Sequence, residues 1–273
     1  MNRYAYIDEK KQHLHTLDGK PLIGTSTVCK MIGKGDALTW WAAGMAVEKF
    51  GWRNPNKHAP EAVKTALQEG YTRTLGLSVD EYGKLLTEAY RASDTYKKKK
   101  GEEGTKRHET LEIYVKECLK ADSISEYTGD NEFVAKFAKW AKENIKKFLW
   151  SEAHCYSLPL WVGGIADVGW VDMQDRIIAG DFKSSPKSYF EQFIQIAGYD
   201  IELSENGGFD AEGKSLFTLS NPVQGYCVIP FGSDVLSPEF QFDTESYRAG
   251  FRNTLALYKL SESFTTTTGT HAP

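Results

Sequence analysis

The chain has 273 residues, a formal net charge of −4, and 14 Phe, 14 Tyr and 7 Trp. That length can bury one large or two small cores, and the composition is that of a soluble globular protein. The slight acidity argues against a protein that coats nucleic acid non-specifically, although a basic groove and a carboxylate cluster can coexist with it. No run of about 18 apolar residues exists, so no membrane-spanning helix is expected. Residues Met1 to Asp8 have no apolar signal core, and no export signal is expected. Cys29, Cys118, Cys155 and Cys227 are widely scattered, which gives no zinc-knuckle spacing and fits a reduced, cytoplasmic protein.

Residues 3–7 and 12–17 read as a hairpin across Asp8-Glu9-Lys10-Lys11, because β-formers flank a charged turn. Thr25 or Ser26 is expected to cap a helix leading into Val28, Met31 and Ile32. A second helix begins near Asp36 and carries Trp40, Trp41, Met45 and Val47. Residues 60–100 read as helical and end in Lys97-Lys98-Lys99-Lys100-Gly101; further helices run from about Gly104 to Leu119 and from Asn131 to Phe148. A β-rich block covers 152–158, 160–172 and 176–183. A helix over about 188–203 follows Pro186, then a loop at Asn206-Gly207-Gly208, strands near 215–220 and 224–230, and a last helix over about 244–261. The polar, simple tail from Ser261 has the composition of a disordered segment. The expected organisation is a hairpin and helical region over 1–100 packed on an α/β core over 101–260, with a disordered tail over 261–273.

Three stretches carry the chemistry. Asp172-Met-Gln-Asp175 suits a hairpin turn, which sets Asp167 opposite Gly180 or Asp181 on the next strand. Residues directly opposite have Cβ atoms about 4.5–5.5 Å apart, so the two acids can share a cation. Asp181 lies in the apolar run Ile177-Ile178-Ala179-Gly180-Asp181-Phe182, where a carboxylate needs a partner or a metal. Lys183 shares its face at i+2, and the Phe182 carbonyl is a further oxygen donor. This donor set suits Mg²⁺ or Mn²⁺, with Lys183 orienting an attacking water or offsetting charge on phosphorus. On the following helix Gln192, Gln195 and Tyr199 share one face at i, i+3 and i+7. His108 points inward with Leu111, Val115 and Cys118.

In order, Gly104-Thr-Lys-Arg-His108, Gly164-Ile-Ala-Asp167, Asp181-Phe-Lys183 and Gln195-Ile-Ala-Gly-Tyr199 resemble the PD-(D/E)XK nuclease superfamily. Within it they resemble the RecB-type and phage exonuclease branch, over about residues 104–200. The stretch from Gly24 through Trp40-Trp41 to Glu48 is similar to the N-terminal segment of phage-type exonucleases in that group. The resemblance implies a restriction-endonuclease-like α/β core, with a central mixed sheet flanked by helices. It also implies Mg²⁺- or Mn²⁺-dependent hydrolysis of DNA phosphodiesters. His108, Asp167 and Asp181 are the implied metal ligands, beside the available Phe182 carbonyl; Lys183 assists the attacking water, and Gln195 and Tyr199 position substrate or lysine. Glu152 sits where some members place a further acid, and Gln192 is a further candidate. Relatives with an iron–sulfur cluster have three closely spaced cysteines after the core. Only Cys227 follows it here, so no cluster is expected.

Lys106, Arg107 and Lys187 are the candidate DNA contacts, beside the basic run Lys97 to Lys100. The likeness to the processive RecB and phage group implies exonucleolytic activity, in phage-type DNA recombination, repair or degradation, and no separate sequence-reading domain is apparent either. The alternatives are a structure-specific or restriction-like endonuclease on the same fold, and a nucleic-acid-binding module without catalysis. DNA is the expected partner and a single-strand annealing protein is one by analogy. The host cytoplasm is the expected location for a phage-encoded chain; oligomeric state and cleavage polarity are left open.

Overall fold

A computed structural model describes residues 4–9, 12–33, 37–233 and 235–267. Its elements are β1 (Tyr4–Glu9), β2 (Gln12–Leu17), β3 (Lys20–Pro21), β4 (Ile23–Gly24), α1 (Thr25–Cys29), α2 (Ala37–Glu48), α3 (Pro60–Leu75), α4 (Val79–Tyr90), α5 (Ala92–Ala121), α6 (Glu132–Asn144), β5 (Ile145–Ser157), β6 (Val162–Asp172), β7 (Ile177–Lys183), α7 (Phe190–Asn206), β8 (Gly208–Phe209), β9 (Ser215–Phe217), β10 (Gly225–Pro230), β11 (Glu239–Gln241) and α8 (Thr244–Thr267). They form two compact units, Met1–Ile32 with Gly104–Pro273, and Gly33–Glu103. No helix among the described residues is long and apolar enough to cross a membrane.

The first unit is α/β, built on a mixed sheet in the order β11-β10-β7-β6-β5-β8-β9, with β4 paired to β6. β7 lies antiparallel to β6 and parallel to β10, and all but its last residue are buried. Such a two-sided strand needs the near-continuous apolar run that Ile177 to Phe182 supplies. Helices cover both faces. Ile177 and Ala179 face a core with α1, α7 and α8 that includes Val28, Phe193, Ala197 and Phe251. Ile178 and Phe182 face a core with α5 and α6 that includes Leu111, Val115, Phe137 and Trp170. Each large side chain so buried contributes about 1.5–3 kcal/mol. The β6–β7 turn is locked locally: Asp172 Oδ1 accepts from the amides of Gln174 and Arg176, both at 2.9 Å, and its Oδ2 accepts from Arg176 Nε at 2.8 Å.

Several elements depart from the sequence reading. The 1–100 region is not one body: residues up to Ile32 belong with the sheet unit. The reason is side-chain packing of the β1–β2 hairpin, where Tyr4 stacks on Tyr156 at 5.5 Å and its hydroxyl reaches His154 Nδ1 at 3.1 Å. Lys10 and Lys11 of the expected turn lie outside the described residues, as does Asp36. Neither Thr25 nor Ser26 caps α1; Gly24 is the N-cap residue and makes no side-chain bond.

The helix expected from Gly104 is the second half of α5, which runs unbroken through the lysine run and Gly101. A single helical Gly costs only about 1 kcal/mol, and Lys97–Asp94 and Lys100–Glu103 pairs support the turns around it. Residues 145–148 are strand rather than helix, because pairing with β6, through two bulges, overrides their local pattern. The tail expected from Ser261 is helical to Thr267, a continuation that its polar composition does not prevent. Residues 268–273 lie outside the described residues.

The hairpin also sets an acid response. Tyr4, Tyr6, His15 and His154 form one ring cluster, with His15 Nδ1 at 2.6 Å from the Tyr4 hydroxyl. Burial, with His154 and His13 adding to it, pushes His15 down to about 4. The unfolded chain therefore binds the proton first. His15 contributes stability above about pH 6.5, which is lost as pH falls toward 4 at up to about 1.4 kcal/mol per unit. Urea unfolding at pH 7 and pH 5 is expected to lose about 2 kcal/mol more in the unmodified chain than in His15→Gln. Equal losses in the two would remove His15 from the account.

The second unit is helical. Pro60 opens α3, and a reciprocal Ser78–Glu81 capping box opens α4. Trp41 meets Tyr96 edge-on at 5.7 Å, and Lys97 Nζ lies 5.8 Å from the Trp41 ring centre.

Candidate active site

The strand register brings the acids together. Val168 pairs with Gly180, so the next step along the ladder carries Asp167 toward Asp181. Asp181 follows Ile177 and Ala179 on the α7 face, and Lys183 follows it by two. Asp181 has no exposed surface. Lys183 Nζ stands 2.5 Å from its Oδ2, yet neither carboxylate oxygen takes an aligned hydrogen bond. A fully buried carboxylate is costly without a counter-charge, and the Lys183 ammonium supplies one here. Burial pushes the Asp181 carboxyl up; Lys183 opposes this, Asp167 adds to it, and the net is upward. Burial works against the Lys183 charge, but Asp181 and Asp167 outweigh it and raise its pKa.

Asp167 is tied from two sides. Its Oδ2 accepts from the Phe182 amide at 2.9 Å and lies 3.1 Å from His108 Nε2. Burial would raise Asp167, but His108, Lys183 and the Phe182 amide hold it low. His108 comes from α5 and meets the Phe182 ring edge-on at 5.8 Å. Desolvation would lower it; Asp167 and Glu152 overcome that and carry it up to about 9.

Glu152 lies across from Asp167, between the Ser151–Val168 and Ala153–Ala166 pairs. Its backbone is left-handed, φ +50°, which costs a non-glycine residue about 1–2 kcal/mol. Its Oε1 ends 3.8 Å from His108 Nε2, and burial with the Asp167 charge pushes its carboxyl up to about 8. Strain kept at such a position points to function. Glu112, one turn beyond His108, completes a group that the sequence reading missed: one donor atom each from His108, Glu112 and Glu152 lie within 4.8 Å of one another. The i, i+4 spacing of His108 and Glu112 is the signal that could have found it. His108 thus bridges this group and Asp167, whereas Asp181 pairs with Lys183.

No protein-family model and no curated protein matches the chain.

On α7, Gln195 Nε2 donates to the Tyr199 hydroxyl at 2.5 Å. Tyr199 is buried, and burial with the charges of Asp181 and Asp167 raises its hydroxyl well above the usual range. Glu202, one turn on, is fully buried and accepts from Thr25 and from Cys155 Sγ. Burial pushes it up to about 8 against those hydrogen bonds. Gln192 has a different task from the one expected: its Oε1 accepts from the Tyr189 amide at 2.9 Å and its Nε2 donates to Ser185 Oγ at 3.2 Å, closing the start of α7. Cys29 of α1 is near enough for Lys183 and Asp181 to act on it; burial nonetheless raises its thiol to about 12. All four cysteines are free and buried.

Of the candidate DNA contacts, Lys106 and Lys187 are exposed, with Lys187 Nζ 5.5 Å from the Tyr189 ring centre. Arg107 already donates to the Phe231 carbonyl at 2.8 Å, which ties α5 to the end of β10.

Gly164 has a steric reason. A Cβ there would stand 2.4 Å from Tyr199 Cε1 and 3.4 Å from Thr25 Cβ. Gly164→Ala is expected to displace the Tyr199 ring and cost about 1–3 kcal/mol in denaturant unfolding. An unchanged midpoint would show that the ring moves freely.

Proposed function

We propose that the chain is a divalent-cation-dependent DNA nuclease of the PD-(D/E)XK kind, with a restriction-endonuclease-like core, acting from DNA ends. The observation that carries this reading is Asp181: a fully buried carboxylate without an aligned donor, paired with Lys183 on the same strand and set beside Asp167. The mixed sheet with helices on both faces is what the resemblance implies, and the end preference rests on the same likeness.

The donors fit a hard cation. Asp167, Asp181 and the Phe182 carbonyl offer oxygen, and His108, Glu112 and Glu152 offer one nitrogen and two carboxylates. Oxygen-rich sets suit Mg²⁺ and Mn²⁺, and the imidazole favours Mn²⁺ over Mg²⁺ at the second group. When bound, such an ion polarises the phosphodiester and makes an attacking water easier to deprotonate. The chain's own groups do the rest. The Lys183 ammonium, held by Asp181, offsets the charge that grows on the phosphoryl oxygens. Tyr199, fixed by Gln195, closes the α7 side of the acids. Lys106 and Lys187 supply sequence-independent attraction to phosphates.

The test is digestion of end-labelled linear DNA and of covalently closed circles with Mg²⁺ or Mn²⁺, and with EDTA as control. Label release from linear DNA alone, stopped by EDTA, is the expected result. Cutting of circles would move the reading to an endonuclease. If neither substrate is cut with either ion, the nuclease reading fails.

A further inference from the structure

We propose that the helical unit Gly33–Glu103 carries a nucleotide-binding cavity at the junction of α2 and α3. The cavity is about 470 Å³, within the range of small-molecule sites. Its walls include Glu48, Trp52, Arg53, His58, Glu69 and Arg73.

The sequence builds its floor. The Trp52 amide bonds to the Val47 carbonyl at 3.2 Å and the Gly51 amide to Glu48 at 3.0 Å, the paired bonds that end a helix at a left-handed glycine. Gly51 has φ +85°, and a Cβ on it would stand 2.1 Å from the Ala66 carbonyl oxygen. The end of α2 therefore lies directly on α3 backbone, and Trp52 projects from a fixed turn. Trp52 is 36% exposed, which leaves surface for a ligand. Arg73 is steadied by a hydrogen bond to the Lys49 carbonyl.

The lining chemistry selects the ligand. Among the described residues, no ion pair joins Glu48, Arg53, His58 or Glu69 to a neighbour, so both signs of charge stand ready. Guanidinium groups hold phosphate in a planar fork. An indole face accepts any stacked base. The two carboxylates accept N–H donors from a base edge, as acidic side chains do in base recognition. Two carboxylates disfavour a simple inorganic anion, and charged walls disfavour an apolar ligand. A nucleoside monophosphate has the anionic end, the flat ring and the N–H donors together. Guanine fits best, since it offers both ring and amino N–H groups to Glu48 and Glu69. The same chemistry is found in a free nucleotide and in the phosphorylated end of a single strand.

The experiment titrates the full chain, in EDTA so that no cleavage occurs, with dGMP, dTMP, deoxyguanosine, and a 5′-phosphorylated single strand beginning with dG. Calorimetry or ligand-observed NMR reads binding. dGMP is expected to bind saturably, and at least about tenfold more tightly than deoxyguanosine or than dGMP to Arg53→Ala. Glu69→Gln is expected to narrow the preference for dGMP over dTMP. Both side chains are exposed, so neither variant threatens folding. Tighter binding of the strand than of dGMP, lost in Arg53→Ala, assigns the cavity to a strand end; equal or tighter dGMP binding assigns it to the free nucleotide. If neither saturates, or if Arg53→Ala binds as the unmodified chain does, the proposal fails. Each result stands whether or not the chain cuts DNA.

Discussion

Asp181→Asn is expected to lower cation-dependent release of nucleotides at least about 10³-fold, equivalent to about 4 kcal/mol of barrier. The change keeps the volume of the side chain and removes its charge. It leaves Lys183, which sits 2.5 Å away, without its counter-ion, and it removes one of the two acids closest to that ammonium. Loss of a single well-placed polar group in a dry site already costs about 10²–10³-fold, and this one bears on both the cation and the lysine. Lys183→Met should fall in the same range, and Glu112→Gln by less, because Glu112 is also engaged by Lys116. Stability separates the chemistry from the scaffold. A buried carboxylate whose pKa is pushed up by burial burdens the fold, so Asp181→Asn with Lys183→Met is expected to unfold no more easily than Asp181→Asn alone, although it is inactive. Retention of more than about a tenth of the activity by Asp181→Asn would remove this carboxylate from the reaction. Direct Mn²⁺ titration of the same variants gives a readout that does not depend on turnover.

What could be read from the sequence is what local rules govern. The β6–β7 hairpin was legible because Asp172 supplies its own turn bonds, and the turn fixes which acids meet. Asp181 stood out because a carboxylate in an apolar run has no cheap place to go. α7 was legible from its apolar period. The features that escaped depend on neighbours distant in sequence. Nothing local says that α5 continues past Gly101, or that Ile145 leaves a helix to pair with Asp172. Thr25 looks like a cap, but its hydroxyl is taken by Glu202, 177 positions away. Gln192 looks like part of an amide stripe, but the start of α7 claims it. Glu112 reaches the candidate site only because α5 brings it beside Glu152. The left-handed backbone of Glu152 has no signature in residue type at all. Core strands and motif order follow from patterning; the grouping of His108, Glu112 and Glu152 follows from tertiary packing.

Arg248→Ala is expected to destabilise the sheet unit by about 3–5 kcal/mol, the cost of stranding a buried charge. Asp200 has no exposed surface. Arg248 of α8 grips it through two nitrogens, at 2.7 and 3.1 Å, and the Tyr226 hydroxyl of β10 donates to it at 2.6 Å. Removing the guanidinium leaves the carboxylate with two neutral donors, the Tyr226 hydroxyl and the Ser204 hydroxyl at 3.1 Å, and no counter-charge in a buried site. The outer Glu245 partner is largely exposed and contributes little. Replacing Asp200 and Arg248 together by Leu and Met should recover most of the loss, since an apolar pair of similar volume needs no counter-charge. The network joins β10, α7 and α8, and α7 also carries Gln195 and Tyr199. Arg248→Ala is therefore expected to reduce turnover as well, through Tyr199, in proportion to how far α7 loosens. Urea unfolding of the two single variants and the pair closes a double-mutant cycle. A loss below about 1 kcal/mol for Arg248→Ala would place the pair among surface-like bridges, and α7 would then be held by its apolar face alone.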